Sequence, residues 1–163
     1  MKTHLRTIRS QAAKEVTRFG QELGIDLQLD DQGSCYLEHR NGMRMAIMLT
    51  GDSQVVTAVA LLSSLELTEA QIGEILTEFN WFGSRIRGAT LSWNPQGHSF
   101  LLWYSRDANS IKTDDLGLLL ARLLDTAQAI KPELESRIAE ADIAAAGASE
   151  AEQAPFNWIE QRA

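Results

Sequence analysis

Apolar residues along this chain recur at steps of three and four, then at steps of two, then at three and four again. Leu5, Ile8, Ala12, Val16, Phe19 and Leu23 fall on one helical face, which predicts an amphipathic helix over 3–23 ended by Gly24. Ile25, Leu27 and Leu29 then alternate with polar neighbours, as in a strand with one buried face. Cys35, Leu37 and His39 repeat the alternation. Asn41-Gly42 supplies a hairpin turn, because both residues tolerate positive φ. Met43, Met45, Ile47 and Leu49 make one face of the returning strand, with Arg44, Ala46 and Met48 on the other. The apolar run 55–62, β-branched at its start, predicts a further strand.

From residue 68 the period is helical again. Thr68 followed by Gln71 is a capping box, and Ile72, Ile75, Leu76 and Phe79 form an apolar stripe behind it. The stripe runs into Asn80-Trp81-Phe82-Gly83, where Gly83 is expected to stop the helix. Residues 89–93 alternate at period two, Asn94-Pro95-Gln96-Gly97 is a turn, and 100–104 returns as a strand apolar on both faces. Thr113, Asp114 and Asp115 open a last helix, where negative charge meets the positive end of the helix dipole. Leu116, Leu119, Leu120, Leu123, Ala127 and Ile130 are its buried stripe. Pro132 has no N–H to give the preceding turn, so it is expected to break that helix or to start another over 133–146.

The element order is α-β-β-β-(β)-α-β-β-α, which predicts an α+β fold: a twisted antiparallel sheet flanked by helices. It divides the chain into a domain over 1–131 and an acidic, Ala/Glu-rich tail over 132–163, helical in part and then flexible. From Gly147 the tail has too few large apolar groups to offset backbone ordering at ~1–2 kcal/mol per residue. Phe156, Trp158 and Ile159 nevertheless cluster there, and they are expected either to fold back on an apolar groove or to dock on another component.

The formal net charge of −7 argues against nucleic acid, whose phosphates need a basic face. Most of it lies after residue 132, where seven acids face two arginines. The one cysteine, Cys35, allows no intramolecular disulfide and fits a reducing compartment. The opening residues are polar and basic with no hydrophobic run behind them, so no signal peptide is expected. No stretch approaches the ~20 apolar residues of a membrane helix, so membrane insertion is not expected and the location is read as cytoplasmic.

No catalytic or metal site is expected. His4, His39 and His98 sit in separate elements without a second ligand at metal spacing. Cys35 alternates with Leu37 and reads as a buried small hydrophobe. Asp30 and Asp31 belong to a turn, and Ser53 has no nucleophile elbow around it. The apolar surplus points instead to binding. Ile72, Ile75, Phe79, Trp81, Phe82, Leu91 and Trp93 are read as a dimer interface, since aromatic residues are enriched at such surfaces. Tyr36, Ala46 and Met48 give the outward face of two strands an apolar character that one sheet cannot bury on both sides.

At this point the chain resembles a known family, the class I chaperones of bacterial type III secretion (the Tir-chaperone, CesT/SycE-like family). The resemblance rests on Gly24-Ile25-Asp26-Leu27 after an amphipathic helix, Leu76-Thr77-Glu78-Phe79-Asn80, the hairpin 89–97 returning through Phe100-Leu101-Leu102-Trp103, and the helix opened by Thr113-Asp114-Asp115-Leu116. It covers 3–130 and implies a homodimer without enzymatic activity or cofactor. Such a dimer binds the extended N-terminal chaperone-binding segment of a secreted effector and keeps it stable and secretion-competent. On that reading Leu5, Ile8, Tyr36, Ala46 and Met48 contact the effector, and the tail is open to an export-apparatus component. The alternatives are a YbjN-like binding or regulatory protein of similar topology and a small enzyme with an unrecognised site.

Overall fold

The computed structural model describes residues 2–50, 54–63, 65–81 and 85–152, the side chains of 2–9, 113, 142 and 144–152 excepted. Helix α1 spans Lys2–Leu23. Gly24 ends it at φ 71°; its N–H donates to the Gln21 carbonyl at 3.1 Å, and the Ile25 N–H reaches back to the Gly20 carbonyl at 2.9 Å. These two bonds form a Schellman motif, which needs a residue that accepts a left-handed conformation.

The remaining elements are β1 (Ser34–Glu38), β2 (Arg44–Leu49), β3 (Gln54–Leu62), α2 (Glu69–Asn80), β4 (Thr90–Asn94), β5 (Ser99–Asp107) and α3 (Thr113–Glu152). The strands form one sheet in the order β1-β2-β3-β5-β4, every neighbouring pair antiparallel. β3 and β5, nine residues each, occupy the interior of the sheet. Their near-continuous apolar runs put apolar side chains on both faces of the sheet. Alternate strand residues (Cys35, Met45, Ile47, Val55, Val59, Leu91, Phe100, Leu102, Tyr104) share one core with the buried stripes of the three helices. The fold is therefore the expected α+β arrangement, with β3 confirmed as a full strand.

Two elements differ from expectation. Residues 25–29 alternate in polarity but pair with no strand. They run back along the end of α1, where Leu27 is buried against Gly20: a Cβ on that glycine would lie 2.7 Å from the Leu27 Cβ. Only Leu27 is buried there; Leu29 is half-buried and Ile25 is 45% exposed, so an alternation of residue types neither requires a strand nor buries every second side chain. Pro132 does not break α3, which continues to Glu152. Pro132 is exposed, and so is Gln128, whose carbonyl would have taken the missing N–H bond. Water can satisfy that carbonyl, so the cost stays small enough for packing to outweigh it. Leu134 and Ile138 extend the buried stripe of α3 into the same core. Phe82, Gly83 and the cluster Phe156, Trp158 and Ile159 lie outside the described residues.

The packing of α3 beyond Pro132 is testable. Leu134 is fully buried, so Leu134→Ala should destabilise the whole domain by about 2–5 kcal/mol, as core leucines do. Urea unfolding checks this; a value below about 0.5 kcal/mol would mean that the stretch after Pro132 is not part of the core.

Candidate functional site

The outward face of the sheet is built by register. Tyr36 stands opposite Ala46, Ala46 opposite Ala58, Ala58 opposite Trp103, and Trp103 opposite Thr90. Beside this row, Met48 pairs with Val56 and Ala60 with Leu101. Side chains in one cross-strand row sit close enough to form a continuous surface. Here small alanines occupy the middle and the large Tyr36 and Trp103 stand towards the sides. Tyr36 is 72% exposed, and Ala46, Met48, Val56, Ala60, Leu101 and Trp103 are half-buried. The result is a shallow apolar trough with aromatic walls. Three expected contact residues, Tyr36, Ala46 and Met48, are brought together in it. Leu5 and Ile8 lie on α1, but their side chains are outside the described residues.

The residues read as a dimer interface separate into two groups. Ile75 and Phe79 are 0% exposed and Leu91 is 2% exposed. They are used inside the chain, where α2 packs on β4, and they offer a partner no surface. Ile72 is half-buried on the same side of α2. Trp93 is half-buried edge-on to Phe100, ring centroids 5.0 Å apart. Trp81, at the C-cap of α2, is the exposed one at 64%. A helical stripe cannot be assigned to a core or to a partner from its spacing alone; here the core takes the aliphatic face and leaves Ala70, Gly73, Thr77 and Trp81 outside.

Two polar devices fix α2. Asn80 donates from Nδ2 to the Leu91 carbonyl at 2.9 Å and accepts at Oδ1 from the Leu91 N–H at 3.0 Å. Its amide thus occupies a backbone pair on the outer side of the edge strand β4, where unpaired groups invite other strands. On its other side α2 is bound to α3. Arg137 donates from Nε to Glu78 at 2.9 Å and from Nη2 to Glu74 at 3.3 Å. Arg85 lies 3.0 Å from Glu78 and 2.7 Å from Glu133, its guanidinium 5.8 Å from the Phe79 ring centroid. Glu74 and Glu78, four residues apart on one helix, would repel each other without these cations. That like-charged pair is the one sequence signal for the cluster; the identity of Arg137, 59 residues from Glu78, could not be read from it. The hydrogen bond from Arg137, with help from Arg85, holds the Glu78 carboxyl below its usual range against a smaller opposing effect of burial.

The other candidates for chemistry have ordinary surroundings. Cys35 is buried opposite Ile47, and desolvation pushes its thiol pKa up, away from the reactive thiolate. Among the described residues no three His, Cys, Asp or Glu side chains are grouped so as to hold a metal ion, and no helix is long and apolar enough to cross a membrane.

Comparison with known proteins gives one family and one fold. The model of the Tir chaperone protein (CesT) family matches residues 15–131. No curated protein matches the sequence. Among solved structures, the ExsC-ExsE complex contains a chain with TM-score 0.66 and 20% identity; the match covers 77% of this chain and 94% of that one. The HopA1-SchA chaperone-effector complex gives TM-score 0.61 at 13% identity, covering 76% and 95%. The Yersinia pestis type III secretion chaperone SycH, solved with a fragment of YscM2, gives 0.53 at 18%, covering 71% and 96%. At these identities the likeness establishes the fold. α3 continues past the family match, from 131 to Glu152.

The charge cluster makes the α2–α3 contact pH-dependent. Because Glu78 has a lowered pKa when folded, its contribution is present above the unfolded carboxylate pKa and lost as pH falls through the folded one. The side chain is 39% exposed, so the contribution is at most about 1 kcal/mol per pair. Glu78→Gln should lower the urea midpoint at pH 7, and the gap from the native chain should close as pH falls through the lowered pKa of the folded carboxyl. A gap independent of pH would assign the loss to packing rather than charge.

Proposed function

The chain belongs to the Tir chaperone protein (CesT) family, and we propose that it is a type III secretion chaperone for one or more secreted effectors. It binds the N-terminal chaperone-binding segment of an effector and holds it extended until export. The observation that carries this reading is the apolar trough formed by Tyr36, Ala46, Ala58 and Trp103, with Met48 and Val56 beside it. A segment without fixed structure gains apolar contact and ordered backbone there, offset by its own loss of conformational freedom. Half-buried methionine suits such a surface, because its unbranched side chain adapts to varied apolar partners. Two of the solved complexes with this fold are described as pairs of a chaperone with its effector or of a secretion chaperone with a bound fragment, which supports the reading. The activity is binding, without turnover, ATP or a cofactor, and it is exercised in the cytoplasm. The working unit is a homodimer whose surface includes the outward side of α2.

The proposal is tested by capture from the native bacterium. The wild-type protein should retain a secreted effector, identified by mass spectrometry, and should scatter light at micromolar concentration as twice the 18.1 kDa single chain. Tyr36→Glu with Met48→Glu puts two carboxylates in the trough, where covering them costs desolvation. Capture should drop at least tenfold while circular dichroism stays unchanged. Full capture by the folded double variant would move the binding site off this face.

A further inference from the structure

Gly73 stands in the middle of α2 with nothing among the described residues to require it. Glycine weakens a helix interior relative to alanine. Its backbone does not have the positive φ of Gly24, Gly33, Gly42 and Gly88, and a Cβ at this position would meet no atom of the described residues within 4 Å. One turn on, Thr77 is short and turns its hydroxyl back to the Gly73 carbonyl at 2.8 Å. One turn further, Trp81 is 64% exposed. The three residues line one groove of about 760 Å³, closed along its side by Glu74, Glu78, Arg85 and Arg137.

A hole, a short spacer and a large aromatic group therefore follow at four-residue steps on one stripe. Gly73 and Trp81 are roughly 12 Å apart along the axis, at 1.5 Å per residue. This spacing is self-complementary. In an antiparallel second copy of α2, related by a two-fold axis through Thr77, each Trp81 lies over the other copy's Gly73. Both contacts form at once, as a two-fold interface requires.

Charge decides whether two such faces can meet. Pairing α2 with itself brings Glu74 and Glu78 of both copies together, and four carboxylates would oppose it. Arg137 bonds to both glutamates and Arg85 is shared between Glu78 and Glu133, so two cations offset most, though not all, of the charge of these three carboxylates before a partner arrives. Arg137 belongs to the part of α3 beyond the family match, which gives that stretch a role at the interface.

We propose that Trp81 of a second copy of this chain seats at Gly73 in the α2 groove, and that the extended α3 makes the seat possible by supplying Arg137. This inference rests on the homodimer reading above and names the contact that makes the dimer. The test is sedimentation of a dilution series. Trp81→Ala and Gly73→Leu should each raise the dimer Kd at least tenfold. Gly73→Leu also adds helix propensity at an open position, so its helix content should not fall. The discriminating experiment mixes the two variants. Neither homodimer can make the contact, but in the mixed pair Trp81 of the Gly73→Leu chain meets the open Gly73 of the Trp81→Ala chain. The mixed dimer should therefore form at least threefold more tightly than either homodimer. A wild-type dimer whose Kd is unchanged in both variants, or a mixed dimer no tighter than the homodimers, overturns the seat and leaves the dimer itself standing. A wild-type chain that sediments as a monomer at micromolar concentration overturns the homodimer reading instead.

Discussion

All three helices contribute their buried stripes to the core on one face of the sheet. Much else in the molecule follows from that constraint. β3 and β5 lie in the interior of the sheet and are apolar on both faces; neighbouring strands shield their edges, so the helices bury one of those faces and the other stays outward. Their inward residues meet the helices. Their outward residues, Val56, Ala58, Ala60, Leu101 and Trp103, continue the apolar surface of Ala46 and Met48 on β2, while on β4 Leu101 and Trp103 stand opposite the polar Ser92 and Thr90. An antiparallel sheet usually offers water a polar outer face. This one offers alanine, valine, methionine and two aromatic rings, a surface suited to a ligand that has apolar groups and no fold of its own.

α2 links the second half of the sheet to the last helix. Its apolar side, through Ile75 and Phe79, is spent on the core; the Asn80 amide ties it to the edge strand β4; Arg137, and Arg85 bridging Glu78 to Glu133, tie its acidic side to α3. The exposed ion pairs contribute little stability individually, but they set the charge of the face that α2 turns outward. An element whose inner side is held at several points can present a defined outer surface. The long α3 takes part in this by carrying both core residues, Leu134 and Ile138, and the cation that pairs with α2.

Where periodicity was matched by explicit end signals, the sequence was enough. Gly24 closed α1 by backbone geometry, Thr68 and Gln71 capped α2 with both reciprocal bonds, and Asn41-Gly42 turned the β1–β2 hairpin. These are local effects, fixed by φ preferences and by hydrogen bonds spanning a few residues. The pairing of Tyr36 with Ala46 was also within reach, since a hairpin of known turn sets its own register. The alternation at 25–29 misled because residue type alone imitates a strand: Leu27 packs on the end of α1, whereas Ile25 stays exposed. Pro132 misled because the rule against internal proline assumes that the abandoned carbonyl has nowhere to turn, whereas Gln128 faces solvent.

By itself the sequence determined the three helices and the five strands of the sheet in their order, the α+β class and the surplus of apolar side chains that marks a binding protein, while adding a strand at 25–29 that does not form. It could not say which apolar residues the chain keeps for itself. Ile75 and Trp81 are both apolar residues of one short stretch, yet one is sealed in the core and the other stands 64% exposed. It could not bring Arg137 to Glu74 and Glu78, or Trp103 into a row with Tyr36. Those relations join residues far apart in the chain. They are decided when strands choose neighbours and helices choose a face, because burial is a property of the packed whole and each residue carries only a preference for it.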